Sequence, residues 1–209
     1  MNPHLTLFGP IISTYGRIAQ VIAYECGVEV SCVPVANGSD ECFRRHPFGK
    51  SPSAHIDGLD FFETAAIAQY LDDKFNEGGL QGAGLEQRAR NIQWLSVANN
   101  YFFPISEHGL VLPRLVVPLM GGVPREDLIA KAIPQIAYCL DLFNNRLADS
   151  KFFSGSAPLL GDLFLYPMIR AVYLTPEGRN LIDQMRALKR WLGMIEVRPS
   201  VTITRWPGE

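Results

Sequence analysis

Strand-like patterning occurs only in the first third of this chain, and its order there constrains the fold more than any other feature. Leu5 to Phe8 is a short β-type run. Ile18, Ala19, Val21, Ile22 and Ala23 then recur at helical spacing up to Gly27, which stands where a helix-ending glycine belongs. Val28 to Val35 is again apolar and β-branched, which closes a strand-helix-strand unit whose two strands must run parallel. A polar stretch, Ala36 to Arg45, and the loop His46 to Pro52 follow. Ser53 to Ile56 and Leu59 to Phe62 flank Asp57-Gly58, a strong hairpin signal, and Glu63 to Phe75 returns to helical spacing through Ala66, Ile67, Tyr70 and Leu71. Gly78, Gly79, Gly82 and Gly84 interrupt that pattern, and strand-like alternation does not return. Helical segments are predicted from Leu85 to Leu112, bent near Pro104, and over Arg125 to Leu147, Leu159 to Leu174 and Gly178 to Val197. The organisation expected is α/β plus all-α: an α/β domain over 1–77, a linker at 78–85 and a helical bundle over 86–209.

With 209 residues the chain can bury a self-sufficient core. Nineteen basic against 21 acidic residues leave a net charge of -2 with no long run of one sign, which disfavours a nucleic-acid partner. The longest stretches free of charge, Met1 to Gly16 and Asn91 to Ser106, contain proline and several polar side chains and are too short to span a bilayer. No membrane association is expected, and with no secretory pattern at the N-terminus the expected location is the cytoplasm. Cys26, Cys32, Cys42 and Cys139 show neither a CxxC pair nor a Cys/His cluster, so four free thiols and no metal site are expected.

The loop His46-Pro47-Phe48-Gly49-Lys50-Ser51-Pro52, the turn Asp57-Gly58 and the run Glu63-Thr64-Ala65-Ala66-Ile67-Ala68-Gln69-Tyr70-Leu71 resemble the NPFGKVPAL…DG…ESxAIxxYL signature of cytosolic glutathione S-transferases. Ser13-Thr14-Tyr15-Gly16-Arg17 is similar to the STxxR serine motif of the phi type, so the likeness is to a serine-type, phi- or theta-like, bacterial member. The resemblance implies a thioredoxin-like N-terminal domain of β-α-β-β-β-α type, a helical C-terminal domain, a homodimer, and glutathione as cosubstrate without a metal. It also implies that the proline matching Pro52 is cis. That geometry turns the N–H and C=O of Ser51 outward, where an extended peptide can pair with them.

Glu63-Thr64 lies at a predicted strand-to-helix junction. A helix N-terminus offers unpaired N–H groups and about half a positive charge, which suits a carboxylate, while a Glu side chain beside it accepts an ammonium. Together they can recognise the amino-acid head that the γ-glutamyl end of glutathione presents, and the resemblance implies that role. Lys50 is a candidate for the glycyl carboxylate. Ser13 is the candidate catalytic group, donating a hydrogen bond to the thiolate, with Thr14 and Tyr15 as alternatives because a shift of one position changes which hydroxyl faces the sulfur. A free thiol with pKa of about 8.5 is only about 3% ionised at pH 7. Lowering that pKa by ~2 units takes about 2.7 kcal/mol, within reach of one donated hydroxyl and the amides of a helix start.

Phe8, Tyr101, Phe102, His108 and Tyr166 are candidates for a pocket that holds a small hydrophobic electrophile. The function expected is conjugation of glutathione to such electrophiles, in detoxification, or reduction of peroxides. The alternative is a binding or regulatory protein that keeps the glutathione site without turnover. Family members usually place Ser or Thr three residues before the Asp matching Asp162; here that residue is Leu159, and Ser156 with Pro158 is expected to begin the helix earlier instead.

Overall fold

The computed structural model of the protein describes residues 3–206 and 209. The chain forms two compact units, one of Met1–Ala83 together with Arg198–Glu209 and the other of Gly84–Val197.

In the first unit, β1 (His4–Phe8) pairs in parallel with β2 (Glu29–Val33) across α1 (Thr14–Glu25), as the strand-helix-strand pattern requires. β3 (Ser53–Ile56) and β4 (Leu59–Phe62) form an antiparallel hairpin that adds to the other side of β1, giving the order β2-β1-β3-β4. Asp57 and Gly58 both take positive φ, 53° and 76°, as a two-residue turn that matches strand twist demands. α3 (Thr64–Phe75) packs beside α1. Leu5, Leu7, Ile18, Ile22, Ala54, Ile56, Ile67 and Leu71 are buried together, each large aliphatic side chain contributing about 1.5–3 kcal/mol. The carboxylate of Asp72, fully buried near the end of α3, accepts from the Leu80 N–H at 3.0 Å and from the side-chain amides of Asn76 and Gln81, which pins the start of the glycine-rich segment.

The stretch between β2 and β3 holds a helix that patterning did not reveal, α2 (Asp40–Arg45). Its signals are capping signals: Ser39 Oγ accepts from the Cys42 N–H at 3.2 Å, Asp40 and Glu41 stand in the first turn, and Arg44 and Arg45 in the last. The expectation that residues 86–209 belong wholly to the helical domain also needs correction. Residues 198–206 and 209, including α11 (Pro199–Ile203), pack on α1: Arg198 meets Glu25 and Ser200 donates to the same carboxylate, while the Arg17 guanidinium lies 2.7 Å from Glu209 and 4.3 Å from the Trp206 ring centroid.

The second unit is built of helices, with one isolated antiparallel bridge between Phe152 and Gly155 among its described residues. α4 (Leu85–Val97), α5 (Phe103–Ser106) and α6 (Val117–Leu119) run on through wider-wound π-helical turns at Ala98–Phe102 and Glu107–Val116. α7 (Glu126–Ala148) and α8 (Leu160–Tyr173) follow. The last expected helix is two, α9 (Pro176–Ile182), capped by Thr175 Oγ1 accepting from the Gly178 N–H, and α10 (Arg186–Glu196). Ser156 does not begin α8, whose N-cap is Leu159. The missing hydroxyl is replaced by partners from elsewhere. Asp162 accepts from the Leu159 N–H at 3.2 Å, and Asn91 of α4 accepts from the Gly161 N–H at 2.7 Å. Asp162 also accepts from the Phe153 N–H at 3.0 Å and the Trp191 indole N–H at 2.9 Å, so one buried carboxylate ties three segments together. Around it Trp94, Phe143, Phe153 and Trp191 pack ring against ring at centroid distances of 4.8 to 5.5 Å for consecutive pairs through Phe153.

Candidate active site

The strand register determines what meets at the working end of the first unit. Phe8 pairs with Val33 on one side and with Ser53 on the other, and Ser53 pairs with Phe62. Gly9, Pro52 and Glu63 therefore sit side by side at one edge of the sheet, although they are far apart in sequence. The two 12-residue helices that pack together, α1 and α3, both begin there. Their unpaired N–H groups and positive dipole ends make the edge suited to anions.

Ser51-Pro52 is a cis peptide, as the resemblance implied. Ser51 makes no backbone hydrogen bond among the described residues, so its N–H and C=O are available to an added strand. Gly9 has to be a glycine for steric reasons, because a Cβ built there would stand 2.8 Å from the Ser51 Cβ. Lys50 is exposed, and its carbonyl accepts from the Cys42 thiol at 3.2 Å.

Ser13 is the N-cap of α1, and its Oγ accepts from the Gly16 N–H at 3.1 Å. Accepting that bond leaves the hydroxyl hydrogen to be donated outward. Ser13 and Pro52 line a pocket of about 280 Å³, together with Phe8, Pro34, Ile203 and Trp206 among others. Thr14 is 4% exposed and Tyr15 half-buried, and neither lines the pocket. Arg17, at 1% exposure, is held by Glu209 and Trp206 and so supports the opening turn of α1 from beneath. Periodicity gave no sign of that pairing, which spans almost the whole chain.

Glu63 takes φ 68° and ψ 114°, a left-handed conformation unusual for a residue with a side chain, and serves as the N-cap of α3 without a capping side-chain bond. Its carboxylate is 62% exposed, whereas Thr64 is 5% exposed, so the glutamate is the member of the pair that reaches solvent. His46 was quoted above only as part of the loop motif, at the position where the family pattern carries Asn. It is 3% exposed, packed against Phe62 with ring centroids 5.2 Å apart, and its Nδ1 accepts from the Phe48 N–H at 3.3 Å. Burial lowers its pKa, opposed by Glu63 and assisted by Lys50, so at neutral pH the ring is neutral with its proton on Nε2, 3.8 Å from Glu63 Oε1. The contact is that of a neutral ring beside a carboxylate and not of an ion pair.

Three of the four thiols are held in the protonated form. Burial pushes the Cys26 thiol up to about 12 and raises Cys32 and Cys139 as well. Of the residues expected at the electrophile pocket, Phe8 lines the pocket beside Ser13 and carries the Arg45 guanidinium 3.6 Å over its ring. Tyr101, 66% exposed, and His108 lie on the surface of the helical unit. Phe102 and Tyr166, at 0% and 1% exposure, are buried in that unit, where Phe102 packs on Phe143 and Tyr166 near Trp191. Among the described residues there is no group of His, Cys, Asp and Glu that could hold a metal ion.

The chain is similar to known proteins over nearly its whole length. Residues 3–73 match the model of the glutathione S-transferase N-terminal domain, and residues 126–193 that of the C-terminal domain. The chain is 32% identical over 75% of its length to glutathione S-transferase F11 of Arabidopsis thaliana, covering 73% of that protein. It is 30% identical over 94% of its length to glutathione S-transferase 3 of Zea mays, covering 90% of it. Among solved structures, glutathione S-transferase III in its apo form superposes with a TM-score of 0.87 at 27% identity, covering 98% of this chain and 99% of that one. By both domain matches and by these relatives, the chain belongs to the glutathione S-transferase family.

Proposed function

We propose that the protein is a glutathione transferase that joins the thiolate of glutathione to small apolar electrophiles. The observation that carries this reading is the register that sets Gly9, Pro52 and Glu63 abreast at the start of α1 and α3. The tripeptide lies along Ser51 as an added strand, its ammonium on Glu63, its γ-glutamyl carboxylate at the first turn of α3 beside Thr64, and its glycyl carboxylate within reach of Lys50. Its sulfur stands at Ser13. The serine hydroxyl donates to the sulfur and favours the anion, the thiol proton passes to solvent, and the thiolate attacks the electrophilic carbon. With an aryl chloride the C–S bond forms, the C–Cl bond breaks and chloride leaves. Reduction of hydroperoxides is a second activity of the site: the thiolate takes the terminal peroxide oxygen as the O–O bond breaks and the alcohol leaves, and a second glutathione converts the resulting sulfenic acid to glutathione disulfide and water. The protein acts in the cytoplasm as a homodimer; exposed Phe48 and Phe62, at 69% and 43%, supply apolar surface for a second copy, and no described helix is long and apolar enough to cross a membrane.

The test is calorimetric titration with glutathione combined with turnover of 1-chloro-2,4-dinitrobenzene and cumene hydroperoxide. Saturable binding and turnover are expected. Binding without turnover of either substrate would leave a glutathione-binding protein, and no binding would remove the proposal. Glu63→Gln is expected to weaken glutathione roughly tenfold, since hydrogen bonds to charged groups are worth about 1.5–3 kcal/mol. An unchanged dissociation constant would take the ammonium away from Glu63.

A further inference from the structure

The pocket beside Ser13 has an unbalanced charge. Phe8, Pro34, Ile203 and Trp206 give it apolar walls interrupted by Ser13, Gln20 and Thr204, and its inner cation, Arg17, is neutralised by Glu209 at 2.7 Å. Arg45, stacked behind Phe8, is held by Glu41 at 2.8 Å. Arg205 differs from both. It lines the same pocket, is exposed, and has neither an ion pair nor a hydrogen bond among the described residues. Its backbone is well anchored, because it stands between Thr204, whose hydroxyl donates to the Ser200 carbonyl at 2.9 Å, and Trp206, whose ring lies on Arg17. An uncompensated guanidinium at the mouth of an apolar pocket is a fixed fork of donors for a planar oxyanion.

We propose that the electrophiles this site prefers carry an anionic substituent, a carboxylate or sulfonate on an aromatic body, and that Arg205 selects them. The proposal rests on the glutathione reading above and gives it a substrate class. The aromatic body fills the space between Phe8 and Trp206 while the reacting carbon faces the sulfur at Ser13. The oxyanion pairs with Arg205, which lies on the C-terminal segment and outside the motifs that bind the tripeptide. The reaction is unchanged: the thiolate displaces chloride, and the anionic substituent is a spectator.

The test compares 4-chloro-3,5-dinitrobenzoate with 4-chloro-3,5-dinitrobenzamide, which match in shape and differ in charge. Each kcat/KM is divided by the rate of the uncatalysed reaction with glutathione. The wild-type protein is expected to favour the carboxylate by on the order of tenfold, the worth of one charge-assisted hydrogen bond at a half-open site. Arg205→Gln brings the ratio near one, Arg205→Glu inverts it, and Lys131→Gln, a charge change on α7, leaves it as in the wild type. Raised salt lowers the wild-type ratio, as screening requires. A wild-type ratio of one, or a ratio that Arg205→Gln does not change, overturns the proposal. So does a loss in Arg205→Gln that is equal for both substrates and accompanied by weaker glutathione binding, because Arg205 would then serve a carboxylate of the tripeptide. If the wild-type protein does not bind glutathione in calorimetry, the underlying reading fails; if it binds and turns over both substrates alike, only the selection by charge fails.

Discussion

Ser13→Ala is expected to lower kcat for glutathione conjugation by roughly 10- to 100-fold while leaving the glutathione dissociation constant within about twofold. The hydroxyl that accepts from the Gly16 N–H has one hydrogen left to give, and at the mouth of α1 its natural acceptor is the thiolate. A hydrogen bond to an anion is worth about 1.5–3 kcal/mol, and each 1.36 kcal/mol is one pKa unit, so the bound thiol should titrate about 1–2 units higher in the variant. Ultraviolet absorbance of the bound thiolate against pH measures this directly. The substitution also removes a helix cap, which costs about 0.5–2 kcal/mol of stability and could be mistaken for the catalytic effect. Ser13→Gly separates the two, because glycine at an N-cap costs only a few tenths of a kcal/mol yet lacks the hydroxyl as alanine does. Equal losses of kcat in both variants assign the effect to the hydroxyl. A thiol that titrates normally in both would move the role to Thr14 or Tyr15.

Asp162→Ala is expected to destabilise the protein by roughly 3–5 kcal/mol, a large part of the total for a domain, as the loss of urea resistance in the helical unit. The carboxylate accepts from two backbone N–H groups and the Trp191 indole, all of them out of contact with water, and its removal leaves three donors unpaired. Burial pushes the Asp162 carboxyl up to about 6 from an ordinary 3.8, in spite of those three bonds. Its folded pKa therefore lies above its unfolded one, and the proton is held more tightly in the folded chain. The contribution is fully present below the unfolded value and declines as pH rises through about 6. Asp162→Asn cannot titrate, so the stability advantage of the wild type over it should shrink by about 3 kcal/mol between pH 4 and pH 7. An advantage that is flat across that range would mean that the carboxylate is as well satisfied when charged as when neutral.

The outline of the site was legible in the residues because its parts are local. The bend at Ser51-Pro52, the hairpin turn at Asp57-Gly58 and the acidic residue before α3 each depend on neighbours within a few positions, and each occurs in the structure as the pattern implied. α2 escaped because a helix of six residues has no apolar stripe to read, although its cap and terminal charges are plain in retrospect. The burial of Phe102 and Tyr166 escaped for the opposite reason. An aromatic residue at helical spacing looks the same whether its face is covered or open, and only packing decides.

Sequence alone thus determined the order of the four strands with α1 and α3 and the hairpin turn at Asp57-Gly58, which follow from short-range periodicity and turn chemistry, while the family was legible through the motif resemblance. Tertiary structure alone decided the register that brings Gly9, Pro52 and Glu63 abreast, that His46 turns a neutral N–H toward Glu63, that Asn91 and Asp162 replace a missing cap, and that residues 198–206 and 209 return to α1 with Arg17 buried against Glu209 and Arg205 without a partner among the described residues. These outcomes depend on burial and on pairs separated by tens to nearly two hundred positions. No local propensity encodes them, because the free energy of such a contact exists only once the chain has closed.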